Sequence, residues 1–293
     1  MLDVLCVGHA AFDITMTVAR HPAPNEKLHA GAMALGGGGP AANAAVQAAR
    51  LGGKAGFCGY LGADLFGDMH LREFEAEGVD TRWIVHGDAP TPVSQILAKP
   101  DGARSVVNYK AQTAPLAAGA AVVAGDAARV FLFDGHEPRL SEAILARARD
   151  ARRLTLLDAG SLHDGTRLLA PRVDVLAASA RFARQWTGAE DMDAALDALA
   201  SVNDCVVITL GEAGLIWARD GARGRLQAPD IEAVDSTGAG DAFHGALAWA
   251  LANGRGWEEA LRLASLAGAL TCTKLGARQG LPTRAELARF DAW

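Results

Sequence analysis

Short apolar runs recur between amphipathic stretches along this chain, at residues 4–8, 55–60, 130–133, 154–158, 173–176 and 206–210. Several are polar on neither face, as strands of a parallel sheet covered on both sides must be. Helical patterns lie between them at residues 41–51, 66–77, 141–151, 192–201, 242–252 and 257–274. This alternation predicts an α/β fold, a doubly wound and mostly parallel sheet flanked by helices. Half of the 293 residues are hydrophobic and 21% are charged, enough for a sizeable core. We expect one α/β domain over residues 1–293.

Two stretches break the rhythm, residues 13–35 and 90–111. They alternate like strands without intervening helices, as in Ser94-Gln95-Ile96-Leu97-Ala98 and Ser105-Val106-Val107-Asn108-Tyr109, joined by the turn signal Pro100-Asp101-Gly102. The expected product is a small β lid over the carboxyl ends of the main strands, where it would keep water from a reactive group.

Composition narrows the partner. The net charge is −6 with Lys and Arg scattered, so no basic stripe offers a docking face to a nucleic acid. Cys6, Cys58, Cys205 and Cys272 are far apart and lack zinc spacing, so they read as reduced thiols. The chain starts on a strand-like Leu2-Asp3-Val4-Leu5-Cys6-Val7, and its longest apolar stretch, 114–125, is too short to span a bilayer. A cytoplasmic protein with small-molecule partners, and no membrane or nucleic-acid partner, is expected.

The segment Val234-Asp235-Ser236-Thr237-Gly238-Ala239-Gly240-Asp241-Ala242-Phe243-His244-Gly245 ends a polar loop and begins an apolar helix. Small residues at that join let N–H groups point outward at the positive end of a helix dipole, toward an anion such as phosphate. Asp241 beside such a site would repel a phosphate unless it collects a proton from a hydroxyl. Taken alone, the segment reads equally as a flexible helix start with an acid favourable to the dipole.

A second segment decides between these. Gly36-Gly37-Gly38-Gly39-Pro40-Ala41-Ala42-Asn43 opens the helix ending at Leu51-Gly52, followed by Tyr60-Leu61-Gly62-Ala63-Asp64. With residues 235–245, it resembles the ribokinase/PfkB family of carbohydrate kinases at both signature regions. The likeness continues through Thr209-Leu210-Gly211-Glu212-Ala213-Gly214 and from Gly276-Ala277 to Pro282, over essentially the full chain. Within the family, Gly37–Ala42, Asn108-Tyr109 and Phe243–Ala248 are most similar to the ketohexokinase and sulfofructose kinase branch.

The resemblance implies a ribokinase-like fold and an ATP-dependent sugar kinase, with Asp241 as base and the Gly238, Ala239 and Gly240 amides as anion hole. Asp13 and Asn43 resemble the sugar-hydroxyl binders; an acid and an amide together can accept from and donate to vicinal hydroxyls. Gly37 and Gly38 would let backbone approach the sugar. Lys27, Arg104 and Asn108 would meet the distal end of the acceptor, or else be solvated lid residues. In the sulfofructose kinase branch an arginine accompanies them where this chain has His136. Histidine lacks the bidentate fork that suits a sulfonate, so a neutral ketose, a sugar acid or a sugar phosphate is favoured.

For the nucleotide, Thr209, Gly211 and Gly214 would flank phosphates and ribose, with Ala264, Ser265 and Gly268 toward the base; helix packing explains Ala264 and Gly268 equally well. Asp235 and Thr237 resemble the place where relatives hold potassium through oxygen ligands. Relatives carry an Asn-x-x-Glu motif for magnesium, but here Ser179 and Phe182 stand at those positions, so Mg2+ would be held chiefly by nucleotide phosphates. A nucleoside kinase and a catalytically silent sugar-binding sensor are the competing readings. A homodimer through the lid would follow from an exposed apolar lid face.

Overall fold

The computed structural model describes residues 1–99, 103–111 and 113–290. The turn signal at 100–102 lies outside them. In chain order the strands and helices are β1 Leu2–Val7, β2 Ala11–Thr17, β3 Met33–Gly38, α1 Pro40–Arg50, β4 Ala55–Gly62, α2 Leu65–Ala76, β5 Asp80–Gly87, β6 Val93–Ala98, β7 Arg104–Tyr109, β8 Ala128–Phe133 and α3 Pro138–Asp150. There follow β9 Leu154–Ala159, α4 Asp164–Leu169, β10 Val175–Ser179, α5 Ala180–Thr187, α6 Met192–Ala200, β11 Cys205–Thr209, β12 Leu215–Arg219, β13 Ala222–Leu226, α7 Ala239–Ala252, α8 Trp257–Thr271, α9 Ala277–Gly280 and α10 Arg284–Leu287.

The main sheet has nine strands in the order β13-β12-β11-β10-β9-β8-β1-β4-β5. From β11 to β5 all neighbours are parallel, while β12 and β13 add an antiparallel edge. Strand parity sorts the core: Val4 and Cys6 join the cluster with α1, α7 and α8, and Leu5 and Val7 join the one with α3, α5 and α6. Because β1 lies between β4 and β8, the winding direction reverses there, and ligands bind such folds in the crevice at that switch.

The lid emerges at this crevice. Its four strands run in the order β3-β2-β6-β7. It is wider than the sequence reading, beginning at Ala11 and ending at Gly38, so Gly36–Gly38 is strand and Gly39, at φ 94°, makes the turn into α1. Directly opposite residues share a sheet face. Asp13 pairs with Gly36 and Ser94, and Ser94 with Asn108, forming one polar row. Met33, Leu35, Val107 and Tyr109 occupy the alternate positions, and all four are exposed.

Three boundaries differ from expectation. The strand placed at 173–176 is β10, Val175–Ser179, because the Asp174 carboxylate accepts from the Thr155 backbone N–H at 2.8 Å and closes the strand start. The last long helix stops at Thr271, not Lys274: the Cys272 carbonyl accepts from Val234 and Asp235 N–H at 2.7 and 3.1 Å, tying the loop before α7 to the helix end. Residues 180–187, where no helix was expected, form α5, capped by the Ser179 hydroxyl accepting from Phe182 N–H at 3.0 Å.

Candidate active site

The loop 234–238 is braced from within. The buried Asp235 carboxylate accepts from the Thr237 N–H and hydroxyl at 2.9 and 2.6 Å, and from Gly276 N–H at 2.9 Å. Gly238 then caps α7 at φ 81°, a left-handed conformation, and a Cβ there would lie 2.7 Å from the Cβ of Ala277. Gly240 is exposed with open space around its Cα. The first N–H groups of α7 have no intrahelical acceptor, so Gly238, Ala239 and Gly240 form a concave end suited to an anion. Asp235 and Thr237 serve here as the loop's own brace; among the described residues no cluster of His, Cys, Asp and Glu could hold a metal.

Asp241 lies in the first turn of α7, half-buried, and its Oδ2 accepts from Asn43 Nδ2 at 2.7 Å. Burial, then the charge of Asp158, lifts its pKa to about 6, against the pull of Asn43, His244 and Arg104. One turn further on, the buried His244 places Nδ1 3.1 Å from Asp158 Oδ2. Burial works against a charged ring there, but Asp158 and Asp241 outweigh it and raise the His244 pKa. Asp13 is also held at about 6, raised by burial and by Asp241 against a Ser94 hydrogen bond and Arg278.

The glycines before α1 make room for side chains. A Cβ on Gly38 would overlap the Asp13 carboxyl, and one on Gly37 would lie 2.8 Å from Arg278 Nη2. The structure thus brings Asp13, Gly37, Gly38, Asn43 and Asp241 together. Arg104 joins them from the lid: its Nη1 donates to Ser236 Oγ at 2.7 Å, so it touches the anion loop rather than a distal end. Asn108 shares the Asp13 row but is exposed, and Lys27 is exposed in the β2–β3 connection.

His136 belongs to a second group at the switch point. Its ring stacks on His163 with centroids 4.8 Å apart and lies 5.2 Å from that of His9. The Asp134 carboxylate fixes this corner by accepting from the N–H groups of His9, Ala41 and His136 at 2.7, 3.2 and 2.9 Å. A cavity of about 220 Å³ opens against His9, Tyr60, Lys110, His136 and Glu137. Burial lifts Glu137 to about 7, although it accepts from Leu116 N–H.

Thr209, Gly211 and Gly214 fall in one turn between β11 and β12, closed by Leu210 N–H donating to the Gly214 carbonyl at 2.8 Å. On α8, Ala264 is fully buried in the core, Ser265 is half-buried, and a Cβ on Gly268 would lie 3.0 Å from the Ala239 carbonyl. Gly268 therefore sets how closely α8 approaches the anion loop. Sequence reading missed His9, Asp134, Asp158, His163, His244 and Arg278. Only His244 and Arg278 sat within segments that the family resemblance had marked; the rest converge through the fold alone.

A Gly-rich helix start for phosphate, a raised carboxylate beside it and a lidded polar crevice define a phosphotransferase acting on an alcohol group. A family model described as pfkB family carbohydrate kinase matches residues 1–284. The chain belongs to that family and is a carbohydrate kinase. It is similar to ribokinase of Haemophilus influenzae, at 29% identity over 97% of this chain and 96% of that protein. It is also similar to fructokinase-1 of Oryza sativa subsp. japonica, at 30% identity over 86% of this chain and 87% of that one. A ribokinase-type crystal structure from Agrobacterium tumefaciens superposes with TM-score 0.89 at 30% identity, covering 98% of this chain and 96% of that one. The fold class expected from the sequence is thereby established.

Proposed function

We propose that the chain transfers the γ-phosphoryl group of ATP to a hydroxyl of a small carbohydrate, with Asp241 as the base. The acceptor hydroxyl gives its proton to the Asp241 carboxylate, its oxygen bonds to the γ-phosphorus, and the bond to the bridging oxygen breaks to release ADP. The Gly238, Ala239 and Gly240 amides face the charge moved in that step. The observation that carries this reading is the Asp241 carboxylate, lifted to about 6, in the first turn of α7 beside the helix's N-terminal N–H groups, of which that of Ala239 also reaches the Ser236 carbonyl at 3.4 Å.

Asp13 and Asn43 hold the acceptor hydroxyls, and the cavity beside His136 takes the far end of the sugar. Imidazoles and the Glu137 carboxyl there suit hydroxyls better than a sulfonate. Thr209, Gly211 and Gly214 border the nucleotide. Ser179 and Phe182 do not fit a magnesium site: the hydroxyl of Ser179 caps α5 and donates to the Gly160 carbonyl at 2.8 Å, and Phe182 is fully buried. No step is assigned to the metal.

The exposed apolar row Met33, Leu35, Val107 and Tyr109 is the face through which two copies would pair, lid to lid. No helix among the described residues is long and apolar enough to cross a membrane.

ADP release over a panel of ketoses, aldoses, sugar acids, sugar phosphates and nucleosides tests the function. Turnover on a sugar, abolished by Asp241→Asn, is expected. Turnover confined to nucleosides would replace the acceptor class. Calorimetric sugar binding without turnover on any member would make the chain a sensor.

A further inference from the structure

Arg278 is among the largest side chains the fold buries completely, at 2% exposure, on the short α9. A guanidinium that far from water is costly unless its charge is matched, and here Nη1 has no hydrogen-bond partner but faces a carboxylate. Its Nε donates to Asn43 Oδ1 at 3.2 Å. Its Nη2 faces His70 Nε2 at 3.2 Å, and its Nη1 lies 3.4 Å from Glu73 Oε2. Glu73 in turn accepts from Gly37 N–H at 2.5 Å, and the guanidinium lies over the Phe74 ring at 5.5 Å. Burial, and then Arg278 itself, keeps His70 well below the usual histidine range, so its ring is neutral and can accept from Nη2.

The bond to Asn43 has a consequence at the reacting end. An amide has one oxygen and one NH2, in one plane and on either side of its Cβ–Cγ bond. With Oδ1 taken by a donor that never loses its proton, Nδ2 is the group left for Asp241, 2.7 Å away. The flipped amide would set Nδ2 against Arg278 Nε and Oδ1 against the Asp241 carboxylate, two repulsive contacts. We propose that Arg278 is a positioning residue for phosphoryl transfer: its Nε locks the Asn43 amide so that NH2, and never the carbonyl, is presented to the Asp241 carboxylate. This rests on the reading of Asp241 as base.

The charged groups around Asp241 are Asp158, His244, Arg104 and Asp13, and none of them binds Asn43 Oδ1. Loss of the lock therefore acts on Asp241 through Asn43 and, at one remove, through Asp13, whose carboxyl Arg278 also lowers. The test measures kcat at saturating sugar against pH for the wild type, Arg278→Met, Arg278→Lys, Asn43→Ala and Arg278→Met/Asn43→Ala. Circular dichroism confirms folding of each.

Arg278→Met is expected to lower kcat about tenfold and to move the acid limb up by about one pH unit, leaving the KM for ATP unchanged. Arg278→Lys keeps the buried charge near Glu73 and recovers part of the shift; it also stands in if the Met variant does not fold. In the Asn43→Ala background the Met substitution should move the limb little further. A folded Arg278→Met or Arg278→Lys enzyme with the wild-type limb and kcat overturns the inference, as does full additivity with Asn43→Ala. If instead Asp241→Asn keeps wild-type turnover, the base assignment fails separately.

Discussion

The acid limb of turnover is the sharpest consequence of the site. Only ionised Asp241 can take a proton, and its pKa of about 6, against an ordinary 3.8, makes the ionised fraction sensitive to pH in the weakly acidic range. With that value the fraction rises from about 9% at pH 5 to about 91% at pH 7, a tenfold gain in kcat. An ordinary carboxylate would already be about 94% ionised at pH 5 and give almost no change. Asp13 is also held near 6, and in its proposed role at the acceptor its titration should fall on KM.

The same shift makes a stability prediction. The folded pKa lies above the unfolded one, so the folded state binds more protons between about 4 and 6, and stability drops as pH rises through that window. Above it the ionised group costs up to about 3 kcal/mol, reduced to about 1–2 by partial exposure. Asp241→Asn should abolish turnover and raise Tm at pH 8 by about 2–8 °C. The assay is discontinuous chromatography of ADP from pH 4.5 to 8.5, with circular dichroism to separate titration from unfolding. A kcat flat from pH 5 to 7, or an Asp241→Asn enzyme no more stable than wild type at pH 8, would refute the reasoning.

Gly238→Ala puts a Cβ into a left-handed backbone at φ 81° and 2.7 Å from Ala277 Cβ. The summed cost is about 2–4 kcal/mol, read as a fall in Tm. Gly38→Ala displaces the Asp13 carboxyl and should raise the sugar KM about tenfold or more while sparing that for ATP, measured by initial rates. Val107→Asp places a charge on the most exposed apolar residue of the lid's outer row, at 70% exposure, and should abolish the proposed lid-to-lid pairing, read by sedimentation against the wild type, at unchanged Tm.

The layered fold was legible because its central strands are covered on both faces and its helices on one, so hydrophobic period carries the signal. Edges were less so. The β12–β13 hairpin was announced by Asp220-Gly221, both at positive φ (50° and 79°), a turn pair easily passed over beside longer helices. Strand ends such as Asp174 are set by a carboxylate bonding across to Thr155, which no periodicity encodes. Asp241, Asn43 and Asp13 were readable from their motifs. Arg278 was not, since a basic residue between Ala277 and Gln279 looks like solvated surface, and only the packing of α9 over Phe74 shows it buried.

The placement of that arginine solves a problem of base strength. A guanidinium bound directly to Asp241 would hold the carboxylate well below the usual range and leave it a poor acceptor for an alcohol proton. Burial and the charge of Asp158 push it the other way, and Asn43, His244 and Arg104 pull against them. Asn43 lies between the two: it passes on a donor whose direction Arg278 sets, but carries no charge of its own. The positive charge is matched instead by Glu73, which also accepts from the Gly37 N–H. In the proposed role of Asp241 as base, the amide relay together with His244 and Arg104 leaves it near 6, mostly ionised at neutral pH yet basic enough to take a proton.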